Sequence, residues 1–151
     1  MLSKYSKIEK ITSGINNLIN LLCFIGYLIL FNFANYSTSG DNPEGAGLSV
    51  FVFVILSIYP LITSAILLFI NIILQFFKKK QVATAMAIIT IISSLVFIVA
   101  GIMFLIVFVG PNLIYHVVLA VIHILLNILS IVILLIALIK QRKLNRGLAN
   151  E

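Results

Sequence analysis

The chain has 151 residues, is 62% hydrophobic and carries only 9% charged side chains, with a mean hydropathy of +1.25. A soluble domain is about half apolar and about a quarter charged, so this composition excludes a water-soluble core and makes lipid the expected solvent. The net charge is +6, but the basic residues flank apolar segments instead of gathering on a polar face; anionic lipid headgroups, not nucleic acid, are the expected counterpart.

At about 20 residues per span, the length permits up to four or five spans in one domain, 1–151. Leu2, Tyr5, Ile8, Ile11 and Ile15 recur at three- and four-residue spacing, with Lys4, Lys7 and Lys10 on another face. This pattern fits a short helix on the membrane surface leading into the first span, or a frayed basic tail. The first span is expected over 15–34. It is longer than a signal-peptide core and no A-x-A-like site follows, so it is expected to stay uncleaved. Cys23 is the single cysteine, so no internal disulfide is possible; Leu22 before it is not small, as an acylation site would need, and a buried inert thiol is expected.

Residues 35–47, NYSTSGDNPEGAG, read as a flexible polar loop containing Asp41 and Glu44. The segment lacks the ordered alternation of a calcium loop. The second span is expected over 48–77. Thirty residues of helix would be about 45 Å long against about 30 Å of hydrocarbon, so tilt and a kink at Pro60 are expected. Lys78, Lys79 and Lys80, followed by Gln81, mark a return to the surface. The third span is expected over 82–109. Gly110-Pro111-Asn112 then suits a helix stop and restart, giving a tight hairpin with a fourth span over 113–139. The tail 140–151 is basic, polar and expected to fray.

All ten basic residues fall on one side of a four-span chain: three lysines before the first span, the lysine triplet, and Lys140, Arg142, Lys143 and Arg146. Positive charge is retained in the cytoplasm, so both termini and the lysine turn are expected there, with loops 35–47 and 110–112 outside. The expected fold is an all-α integral membrane protein of the plasma membrane, with four transmembrane helices in an antiparallel bundle.

No Asp, Glu, Lys or Arg lies inside these spans, which argues against proton- or ion-coupled carriers and membrane enzymes. Neutral polar residues instead form stripes at helical spacing. They are Asn16, Asn20, Cys23 and Tyr27 in the first span; Ser57, Pro60, Ser64, Asn71 and Gln75 in the second; Ala83, Ala87, Thr90, Ser94 and Gly101 in the third; and Asn112, His116, His123, Asn127 and Ser130 in the fourth. Each stripe should face the other helices, as interhelical contacts worth about 0.6 kcal/mol each or as a ligand path. Counting depth at about 1.5 Å per residue predicts that Asn20 meets Asn71, and that Ser64, Ser94 and Asn127 share a level. It also places His123 near Pro60, donating to a carbonyl freed there, and His116 near the outer boundary and water. His116 and His123 are seven residues apart and have no partner ligand, so neither a metal nor another cofactor is expected.

The abundant Ile, Asn and Lys resemble the usage of AT-rich bacteria. In size and layout the chain resembles small four-span bacterial membrane proteins encoded beside exported toxins or peptide bacteriocins, some of which protect the producer. The resemblance implies a non-enzymatic accessory or immunity-type subunit with a membrane-protein partner or a second copy of itself; the alternative is an oligomeric permeability element such as a small carrier, channel subunit or holin-like protein. Lys78–Lys80, Lys140, Arg142 and Lys143 are expected at lipid headgroups, and Asn20, Ser64, Asn71, Ser94, His123 and Asn127 between the helices.

Overall fold

A computed structural model describes residues 3–38, 43–77, 79–107 and 113–148, with side chains over 3–30, 58–77, 79–105 and 114–145. It contains α1 (Lys4–Thr38), α2 (Pro43–Gln75), α3 (Lys80–Val107) and α4 (Leu113–Leu148). Each holds a stretch long and apolar enough to cross a membrane: Lys4–Leu30, Ile58–Gln75, Lys80–Leu105 and Ile114–Asn145. By helix length and hydropathy this is a four-span, multi-pass membrane protein.

The helices outrun the apolar segments. The amino-terminal stretch is neither a separate surface helix nor a frayed tail, because Lys4–Thr38 is one helix of 35 residues. The expected polar loop is helical up to Thr38 and again from Pro43, and α4 runs past the apolar segment to Leu148. Hydropathy marks where side chains tolerate hydrocarbon, whereas the helix continues wherever its backbone groups still lack other partners. Pro43 opens α2, where its missing N–H costs nothing. Helix α2 also continues through Pro60. One turn on, the Thr63 hydroxyl donates to the Tyr59 carbonyl (2.8 Å) and that of Ser64 to Leu61 (2.9 Å). Asp41, Lys78 and the Gly110-Pro111-Asn112 turn lie outside the described residues.

Three contacts fix the directions of the helices. Ser6 near the start of α1 reaches Gln141 near the end of α4, the Gln141 carbonyl oxygen accepting from the Ser6 hydroxyl (3.3 Å). The Lys10 ammonium donates to the carbonyls of Leu74 (2.9 Å) and Gln75 (3.3 Å) at the end of α2. Lys80, which opens α3, donates to Asn145 Oδ1 on α4. The starts of α1 and α3 and the ends of α2 and α4 therefore share one end of the bundle, here the base, and the packing is antiparallel.

Helix α1 touches all three others, whereas among the described residues α2 leans mainly on α1, meets α3 slightly and does not meet α4. Buried positions recur at alternating steps of three and four residues. On α4 they are His116, Ala120, His123, Asn127, Ser130, Leu134, Ala137 and Gln141; on α3 they include Ala83, Ala87, Thr90, Ser94, Phe97 and Phe104. This rhythm is that of a seam between helices crossing at shallow angles. Its content inverts a soluble core. Ile, Leu and Val cover the outside, while Asn, Ser and His fill much of the inside.

Candidate functional site: a polar seam under an aromatic layer

The seam starts with α1. Ser6, Glu9, Ser13, Asn16, Asn17 and Asn20 follow one another at helical spacing, and none is more than 2% exposed. From Glu9 to Asn17 this polar strip rises about 12 Å along the helix axis. The aromatic residues begin one turn further on: Phe24 and Tyr27 on α1, Phe97 and Phe104 on α3.

Asn20 is the hub of the upper seam. Its Oδ1 accepts from His123 Nε2 (2.8 Å) and from Asn127 Nδ2 (2.8 Å), both on α4. Asn127 Nδ2 also donates to the His123 carbonyl (2.9 Å), tying the pair one turn apart. A carbonyl oxygen only accepts, so His123 carries its proton on Nε2. Its Nδ1 then accepts from the Tyr27 hydroxyl at 3.3 Å. The His123 ring meets the Phe24 ring edge-on, centroids 5.0 Å apart, and Tyr27 stacks on Phe104 at 4.0 Å. Phe24 meets Phe97 at 5.5 Å. These rings close the bundle above the polar seam.

One turn lower, Asn16 Nδ2 donates to Ser94 Oγ on α3 (2.9 Å). Asn71 of α2 borders a cavity of about 50 Å³ with Asn17 of α1 and Met86 and Thr90 of α3. Leu67, Ile70, Leu74 and Ile89 complete its mostly apolar lining. At the base, Ser3 and Ser6 hold Gln141, and Lys140 lies over the Tyr5 ring at 6.0 Å.

The described stripe positions are buried except Gln75, which is exposed, and Pro60, which is half-buried; the side chains of Ser57 and Asn112 lie outside the described residues, and the pairing differs from the depth count. Asn20 bonds His123 and Asn127, while Asn71 sits beside Asn17. Ser94 takes Asn16, and Ser64 bonds its own helix. His123 meets α1 and makes no bond to the turn around Pro60, and His116 is buried, 6% exposed. The depth count failed by one turn because it set the surface level of α1 at Gly14. Lys10 is the residue level with the end of α2, since it bonds the carbonyls there. Of the basic residues expected at headgroups, Lys79, Lys140, Arg142 and Lys143 are exposed, and Lys80 is held by Asn145.

Charge is also buried at the base. Glu9 and Lys10, which precede the first expected span, are 0% and 5% exposed. Lys10 is satisfied as the cap of α2. Glu9 is not: neither carboxylate oxygen has a hydrogen-bond partner, and Ser13 Oγ, Asn16 Oδ1 and Asn17 Oδ1 beside it on α1 have none either. Sequence reasoning passed over Glu9 because it stands among surface-type lysines. The signal was present, since the spacing Asn16–Ser13–Glu9–Ser6 extends the polar stripe backwards. Among the described residues, no three or more His, Cys, Asp or Glu gather as a metal site. Cys23 is free and buried.

No protein-family profile matches the chain, and neither a curated protein nor a solved structure is detectably similar to it.

Proposed function

We propose that this protein is a non-enzymatic accessory or immunity-type subunit of a bacterial plasma membrane, acting through helix contacts in the plane of the bilayer. One observation carries the reading. Among the described residues α2 leans mainly on α1, and a cleft of about 280 Å³ opens between it and α3, lined by Tyr59, Pro60, Thr63, Val99, Ala100 and Met103. The small residues Thr63 and Ala100 at such a cleft let another helix approach closely, which is how helices associate in lipid. Most of the rest of the described outer face is Ile, Leu and Val suited to acyl chains, with Phe69, Phe76, Phe77 and Tyr115 also exposed. The ten-to-none distribution of basic residues supports a cytoplasmic base, with Lys78–Lys80, Lys140, Arg142 and Lys143 at anionic headgroups. The high content of Ile, Asn and Lys supports a bacterial source.

A photo-crosslinking residue at Thr63 or Val99 should capture a stoichiometric membrane protein in cells. The same probe at Leu125, on the lipid face of α4 (59% exposed), should capture only lipid. Equal capture from both faces would overturn the reading.

The unpartnered oxygens along α1 favour a second reading, an oligomeric permeability element. The aromatic layer closes a single bundle, so a path would have to form between copies. Liposomes that stay tight to ions and dyes at every protein density would remove it.

A further inference from the structure

The strip from Glu9 to Asn17 carries a buried carboxylate and lone pairs that no hydrogen bond meets. Glu9 Oε1 and Oε2, Ser13 Oγ, Asn16 Oδ1 and Asn17 Oδ1 are all buried and without a hydrogen-bond partner. Burial raises the pKa of Glu9, the charge of Lys80 opposes this only in part, and the hydrogen bonds of Lys80 and of the neighbouring Lys10 go elsewhere. Lys10 donates into the carbonyls at the end of α2, and Lys80, close enough on α3 to act on Glu9 electrostatically, donates to Asn145. No other charged side chain of α2 or α4 is buried among the described residues; Gln141, which faces this end from α4, is neutral. A buried carboxylate needs a counter-charge or a proton.

We propose that the base of the seam binds a small monovalent cation, with the Glu9 carboxylate as its charged ligand and Ser13 Oγ as the next. Glu9 and Ser13 are four residues apart and so adjacent on one face of α1. Asn16 and Asn17 place two more oxygens a turn further in. The donor set selects the ion class. All ligands are hard oxygens, which suit alkali ions and not thiolate- or imidazole-seeking metals. A single carboxylate among neutral oxygens balances one positive charge, whereas calcium sites recruit several carboxylates. The site goes beyond the interaction role above and does not depend on it.

The full chain in detergent tests this through thermal unfolding in sodium, lithium, potassium or choline chloride at equal ionic strength. A ligand that binds only the folded state raises stability with the logarithm of its concentration. At least one alkali ion should raise the melting temperature in this way while choline does not. Glu9→Gln should abolish the dependence and Ser13→Ala should weaken it. Difference infrared spectra should show an ionised carboxylate that shifts on adding the ion and is missing in Glu9→Gln. Identical melting in choline and all alkali salts would overturn the proposal. So would an undiminished ion effect in Glu9→Gln, or a carboxyl that stays protonated at neutral pH in every salt. Should Glu9→Gln fail to fold, Ser13→Ala and direct binding of radioactive sodium or rubidium to the unaltered chain decide instead, absence of saturable binding counting against the site.

Discussion

Asn20 ties α1 to α4 through a single side-chain oxygen. One oxygen serves both His123 and Asn127, so truncating it strands the His123 Nε2–H and leaves Asn127 Nδ2 only its bond to the His123 carbonyl, in a fully buried site. Asn20→Ala should therefore destabilise the folded bundle by about 1–3 kcal/mol, more than the average polar contact in a membrane protein. His123→Leu should cost less, because Asn127 keeps its bond to Asn20. The double variant should cost less than the sum of the two, as expected for residues that share a bond. Unfolding in detergent measures all three, and strict additivity would show that the bond contributes nothing. The stripe holding these residues was legible, since helical periodicity gives angular position directly. Their partners were not, because pairing needs the relative depth of two helices. That depth hung on whether Lys10 belongs to the surface or to the bundle.

Close approach decides how the elements pack. A Cβ built on Gly101 of α3 would lie 2.9 Å from Ile124 Cγ1 on α4, a contact real side chains do not make. A Cβ on Gly26 of α1 would lie 3.1 Å from Leu119 Cδ2, the tip of a flexible side chain that can turn away. Gly101→Ala should thus lower stability by about 1–3 kcal/mol, an overpacking cost, while Gly26→Ala should be nearly neutral. A larger loss at Gly26 than at Gly101, by thermal unfolding in detergent, would contradict this ranking. The four apolar helices were legible from hydropathy alone. Their ends were not, since Gln141, at 3% exposure, and Lys10 sit in segments that composition marks as polar tails. What buries them is a partner on another helix, Ser6 for Gln141 and the end of α2 for Lys10, and a single-chain pattern does not display such partners.

At the scale of the molecule, the base gathers the lysines of α1, the lysine turn and the basic end of α4. In the proposed orientation, positive charge holds this end in the cytoplasm, and the charge itself matters more than the side chain that bears it. Replacing Lys78, Lys79 and Lys80 together by arginine should leave the topology unchanged, and Lys80→Arg keeps a donor for Asn145. Replacing all three by glutamate sets three acidic groups against the seven remaining basic ones on the same side. The α2–α3 connection would then lose its retention signal, and part of the population should invert or leave that hairpin uninserted. Cys23 is the chain's sole cysteine, so a Cys23→Ala background with single reporters Ser39→Cys and Asn150→Cys can be mapped by an impermeant thiol reagent. In the arginine variant only Ser39→Cys should react from outside. In the glutamate variant labelling should become mixed. An unchanged map would mean that the two basic termini fix the orientation without the turn, leaving the triplet to anchor the hairpin at anionic headgroups.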